Sequence, residues 1–215
     1  NLKYKPITEG EPWGQKWDSA WFHLTGSIPI EWEGKSVAAE LDFSGEGLVF
    51  DSNGNTLQGI TNGSIWDKNF ARTRVQLFEK CRGGDTIDLW VEAAANSLFG
   101  VFTDGDPAKE SPHRFGWFDA KVEKMRIGLF DEELWHLYLD VRILLGLAKR
   151  LDEKSIRRAR IIRALNNAVN AFGDNQKLTF AARDCLKYEL EKPASASDLK
   201  VSAIGHAHID TGWLW

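Results

Sequence analysis

The chain has 215 residues and a mass of 24.3 kDa, room for one or two domains with a sizeable core. Its 27 Lys and Arg stand against 31 Asp and Glu, a net charge of −4, which argues against binding nucleic acid or an anionic membrane through clustered positive charge. No apolar run approaches the roughly 20 residues needed to cross a bilayer, and the opening NLKYKPITEGEPWG lacks the apolar stretch of a signal peptide. The sequence starts with Asn rather than Met, which leaves room for a trimmed upstream segment.

From residue 17 to about residue 128 the pattern is β. Segments rich in β-branched and aromatic residues recur at 21–25, 36–43, 48–50, 73–78 and 86–91, separated by turn signals such as Glu33-Gly34-Lys35, Gly45-Glu46-Gly47, Ser52-Asn53-Gly54-Asn55 and Arg82-Gly83-Gly84-Asp85. Short strands at this spacing predict an antiparallel β-sandwich. In the last of them Ile87, Leu89 and Val91 share one face. Asn53-Gly54 is expected to form a hairpin turn, since both residues tolerate positive φ.

After Gly128 the periodicity becomes helical. A helix capped by Asp131 is expected to run to about Leu151, with Leu134, Leu137, Val141, Leu144, Leu145 and Ala148 as its apolar stripe. A second runs from about Glu153 to Phe172, capped by Asp152 and stopped by Gly173. A third covers about Thr179 to Glu191 and ends before Pro193. Pro193-Ala194-Ser195-Ala196-Ser197-Asp198 reads as a linker, and Leu199 to Ile204 as a strand entering a turn rich in His and Asp. The expected division is a sandwich domain over 1–128, a helical linker region over 129–192, and a linker with the first strand of a further, incomplete domain over 193–215. The chain is thus read as the front part of a longer protein.

Cys81 and Cys185 lie far apart and neither belongs to a CxxC pair, so both read as reduced thiols of a cytoplasmic protein. Asn62-Gly63-Ser64 fits a glycosylation sequon and equally an ordinary turn, the reading preferred here. The ten Trp are several-fold above average usage, and seven of them fall before residue 118. Indole faces suit the C–H face of a sugar ring, but Trp also fills sandwich cores. Arg157, Arg158, Arg160 and Arg163 read as a solvated or interface face, Asp104-Gly105-Asp106 as a turn, and His23, His113 and His136 have no partner spacing.

On an extended backbone His206, His208 and Asp210 point the same way, and imidazole and carboxylate are both good zinc ligands. A hydrogen-bonded structural role is the alternative for such histidines. The run Gly205-His206-Ala207-His208-Ile209-Asp210-Thr211-Gly212-Trp213-Leu214-Trp215 resembles the signature of glycoside hydrolase family 38 α-mannosidases, in the cytosolic and bacterial-type branch whose motif is close to GHAHIDTAWLWP, with Gly212 in place of Ala. Ala93 to Gly100 resembles the close of that branch's N-terminal β domain, and 133–149 its following helix.

The resemblance implies a jelly-roll, galactose-binding-like sandwich, then helices, then the first strand of an α/β-barrel-type catalytic domain. It implies His208 and Asp210 as ligands of one catalytic Zn2+, and Trp213 as the aromatic wall of the mannosyl subsite, for which a core position is the other reading. His206 is read as supporting the ligands or as structural. The implied activity is retaining hydrolysis of terminal α-mannosidic bonds in oligosaccharides or glycoconjugates, with two carboxylates about 5–5.5 Å apart. Nucleophile and acid/base are expected beyond residue 215, so no catalytic residue is assigned here, and the chain alone should bind zinc weakly and hydrolyse nothing. A homo-oligomer and an α-mannoside substrate are the implied partners, without nucleic acid or membrane. Two other readings remain: an amidohydrolase-type metal hydrolase, which also places His-x-His at a strand end, and a non-catalytic carbohydrate-binding sandwich. In an isolated fragment, without sheet neighbours, residues 199–215 are expected to be disordered, non-natively docked or paired between chains.

Overall fold

The computed structural model describes residues 4–15, 17–62, 71–95, 120–173, 175–193 and 200–205. Their contacts divide them into a β unit ending at Phe130 and a helical unit beginning at Asp131. No described helix is long and apolar enough to cross a membrane.

The β unit contains β1 (Ser19–Ser27), β2 (Val37–Asp42), β3 (Glu46–Asp51), β4 (Thr56–Thr61), β5 (Arg74–Phe78), β6 (Thr86–Ala94) and β7 (Lys124–Leu129). They form a four-stranded sheet ordered β1-β6-β3-β4 and a three-stranded sheet ordered β5-β2-β7, every pairing antiparallel. The expected alternation in β6 holds: Ile87, Leu89, Val91 and Ala93 are buried, while Glu92 on the opposite face is exposed. The main core joins Phe22, Val49, Ile60 and Val91 of one sheet to Ala39, Leu41 and Val75 of the other. A second cluster gathers Ile28, Val37, Cys81, Ile87 and Leu89.

Two strands, β4 and β7, are absent from the segments predicted by sequence. Gln58, Gly59, Lys124, Arg126 and Gly128 dilute their β signal, and pairing with neighbouring strands overrides that weak propensity. The β3–β4 hairpin forms where expected, with a different turn chemistry. Gly54 alone takes positive φ, at +81°, and Asp51 Oδ1 accepts from the backbone N–H of Asn53 and of Asn55, each at 2.8 Å. At Gly45 a side chain would collide with the Ala94 carbonyl, so the chain enters β3 only because this position has no Cβ.

Residues 8–13 run beside 120–126, tied by Gly10 N–H to Val122 O at 2.7 Å and Trp13 N–H to Ala120 O at 2.8 Å. Glu9 Oε1 accepts from the Met125 N–H at 2.7 Å and from Arg126 Nε at 3.2 Å. That backbone donor, with the Arg126 charge adding to it, holds the Glu9 carboxyl below the usual carboxylate range.

The helical unit packs α1 (Glu132–Arg150), α2 (Ile156–Phe172) and α3 (Thr179–Leu190) around Leu137, Leu144, Ala148, Ile161, Ala168, Ala182 and Leu186. Asp131 caps α1 as expected, accepting from the Leu134 N–H at 2.9 Å. Leu145, counted in the apolar stripe, is exposed instead, one position off the face that Leu144 and Ala148 bury. The second helix starts later than expected. Ser155, not Asp152, is its cap, and Asp152 instead accepts from the Lys154 N–H in the preceding turn. Gly173 ends it in the left-handed conformation.

Candidate functional site

The residues singled out for metal and sugar, His208, Asp210 and Trp213, lie outside the described residues, as do His206, His113, Trp66, Trp117 and the Asp104-Gly105-Asp106 turn. The approach to the motif is described as far as Gly205. Residues 200–205 adopt no strand, and Val201 and Ile204 are 87% and 85% exposed. The strand expected over 199–204 is therefore not formed in its described part: an isolated extended segment has no ladder to satisfy its backbone and no face to bury. Among the described residues no group of three or more His, Cys, Asp or Glu is placed to hold a metal.

The described chemistry concentrates on the outer face of the four-stranded sheet. Pairing of β1 with β6 and of β6 with β3 sets Trp21 opposite Glu92, and His23, Trp90 and Phe50 in one row. The rings of Trp21 and Phe50 lie 5.4 Å apart, inclined by 30°. His23 stacks on Trp90 at 4.0 Å with nearly parallel planes, and Tyr4 meets Trp90 edge-on at 5.8 Å. His23 Nε2 donates to Asp88 Oδ1 at 2.8 Å, which fixes the imidazole over the indole. Sequence spacing gives His23 no partner because its partners are 65 and 67 positions away; only the antiparallel register of β1 and β6 brings them together.

The described tryptophans of the β unit divide between core and surface. Trp13 packs against the core, edge-on to Phe22 at 5.7 Å, and donates from Nε1 to the Phe43 carbonyl at 3.0 Å. Trp32 packs on the second cluster. Trp21, by contrast, is 48% exposed on the sheet face, and Trp17 is exposed as well. Between β1 and β7 the sandwich also opens into a cleft of about 1320 Å³, floored by Ala39, Leu41 and Leu89 and crossed by residues 4–7 and 11–13.

Two further sequence readings resolve here. Asn62, the sequon residue, is only 8% exposed, and its side chain hydrogen-bonds Asp42, so it serves the fold rather than a glycan. The four arginines of α2 do not share one solvated face: Arg160 and Arg163 are exposed, whereas Arg158 donates from Nε to the Ala148 carbonyl at 3.3 Å near the end of α1.

Two packed antiparallel sheets followed by a helical unit define the protein as a jelly-roll β-sandwich module with a helical extension. A family model described as "Alpha-mannosidase, jelly roll domain" matches residues 1–125, more than half of the chain, and the chain belongs to that family. It is 30% identical over 218 residues to Alpha-mannosidase G of Dictyostelium discoideum, an alignment covering 100% of this chain and 19% of that protein. Alpha-mannosidase 2C1 of Mus musculus is 30% identical over 99% of this chain and 20% of its own length, and an Alpha-mannosidase of Saccharomyces cerevisiae is 28% identical over 100% and 20%. The chain thus spans about a fifth of the length of the curated relatives it matches. These matches agree with the family 38 resemblance read from the terminal motif.

Proposed function

We propose that the chain is the N-terminal part of a zinc-dependent, retaining α-mannosidase that cleaves terminal α-mannosidic bonds of oligosaccharides or glycoconjugates. The observation that carries this reading is the pairing of the jelly-roll match over residues 1–125 with His-Ala-His-Ile-Asp-Thr-Gly-Trp-Leu-Trp at 206–215. The amidohydrolase reading leaves the jelly-roll match over residues 1–125 unexplained.

The donor set suits zinc in kind: His208 offers an imidazole nitrogen and Asp210 a carboxylate oxygen. It falls short in number, so the remaining ligands, the nucleophile and the acid/base are assigned to polypeptide outside these residues. Bound there, the ion would supply electrostatic stabilisation and a template for the sugar hydroxyls. Trp213 is assigned to the wall of the same sugar subsite, where an indole face covers the C–H face of the ring. The free thiols of Cys81 and Cys185 suit a cytoplasmic location.

The test is hydrolysis of an aryl α-mannoside by the full-length gene product, with and without chelator, beside His208→Ala. Turnover and bound zinc should both be lost on chelation and in the variant. Full turnover in a chelated, metal-free enzyme would overturn the zinc assignment, and absence of turnover in folded, zinc-loaded protein would overturn the mannosidase. The 215-residue chain alone should show no turnover at all.

A further inference from the structure

We propose that the outer face of the β1-β6-β3-β4 sheet is a non-catalytic binding surface for a neutral oligosaccharide, centred on Trp21. Four observations meet on this face. Trp21, a large aromatic, stands about half exposed where an unneeded indole would cost solubility. The Phe50 ring lies against it with centroids 5.4 Å apart and planes inclined by 30°, an offset stack that leaves the indole about half exposed and enlarges the aromatic patch. Glu92 is exposed directly across the β1–β6 pair from Trp21, where the Cβ atoms of cross-strand neighbours stand roughly 5 Å apart. At the other end of the face the His23–Asp88 pair braces Trp90, with Tyr4 against the same indole.

This is the chemistry that recognises a sugar: an apolar plane for the axial C–H groups, bordered by acceptors for the hydroxyls. Glu92 and Asp88 are four residues apart on β6, about 13 Å along a strand, so the face is longer than one pyranose ring and suits an oligosaccharide. Charge narrows the class further. Both flanking groups are carboxylates, which accept from neutral hydroxyls and repel sulfated or uronate-bearing glycans. An acyl chain or an apolar helix would bury the Glu92 carboxylate without a partner, at high cost. The site is independent of the zinc assignment, since it lies wholly on the sandwich.

The experiment is a titration of the chain with an α-linked mannotriose and with cellotriose, followed through the indole Nε1–H resonance of Trp21 and by tryptophan fluorescence. The expected result is saturable binding of at least one trisaccharide with a Kd on the order of 1 mM. Trp21→Ala should weaken it about tenfold or more, as loss of about 1.4 kcal/mol of stacking would, and Glu92→Gln several-fold. Trp135→Ala, in the helical unit, should leave it unchanged. So should chelator, which separates this face from the metal-dependent mannosyl subsite proposed above. Should Trp21→Ala misfold, Glu92→Gln, at an exposed position, carries the same test. No saturable shift with either sugar, or undiminished binding in the folded variants, overturns the proposal. A concentration-dependent dimer abolished by Trp21→Ala would overturn it too, by assigning the face to a second copy of the chain.

Discussion

Glu9 shows how one side chain can do the work of a strand. The Met125 N–H points away from β2, and a carboxylate, not a neighbouring backbone, accepts its hydrogen bond. Because the folded carboxyl titrates below its ordinary value, its contribution is present above that value and fades as pH falls through the folded one. Acid should therefore loosen residues 8–13 from β7 before the core melts. The check is the Met125 amide shift against pH, which should titrate in the native chain and lose that step in Glu9→Gln. Asp42 works in the opposite sense. Burial pushes its carboxyl up, so charging it costs stability as pH rises from its ordinary value through the folded one. Asp42→Asn should flatten that dependence in a urea titration series, provided the acceptor for Ser44 N–H survives. Neither role was legible in the sequence, because both depend on residues distant in the chain. Asn62 was half legible: its turn context was visible, and its burial beside Asp42 was not.

For the elements, legibility follows the strength of the period. The β6 alternation and the α1 stripe are strongly patterned, and both stand where the sequence places them, Leu145 apart. β4 and β7 carry Gly and charge, and become strands through their partners; Lys124, for instance, pairs with Glu40 at 2.6 Å on β2. The start of α2 was misplaced because Asp152 and Ser155 are both competent caps three residues apart, and sequence alone does not rank them. That correction gives a direct comparison. Ser155→Ala should destabilise the helical unit by about 1 kcal/mol, and Asp152→Ala by clearly less, in chemical denaturation followed by far-UV circular dichroism. Gly45→Ala should cost about 1–3 kcal/mol in the β unit, because β3 must move off the Ala94 carbonyl to admit the methyl. A null effect there would mean the strand entry is looser than the structure shows.

At the scale of the molecule, the class of fold was readable because, among the described residues, seven short strands and three α-helices segregate along the chain. The proposed metal motif is readable only as a pattern: His208 and Asp210 offer two ligand types at strand-like spacing, and both lie outside the described residues. Val201 and Ile204, on the approach to the motif, are apolar and almost wholly exposed. Amides of residues 200–205 should exchange at nearly unprotected rates in a monomeric chain, while those of β6 exchange slowly. Protection at 200–205 approaching that of β6 would show that the segment has found a sheet.

The two cysteines have a use beyond what they say about redox chemistry. Cys81 is sealed in the β unit with its Sγ on the Trp32 carbonyl, whereas Cys185 sits part-way up α3 with its Sγ on Ala181. Each unit thus carries its own built-in clock. A thiol-reactive probe can enter Cys81 only when the sandwich opens and should reach Cys185 on local fraying of one helix, so a native chain should label in two well-separated phases without any engineered reporter. The slow phase measures how often the sandwich breathes.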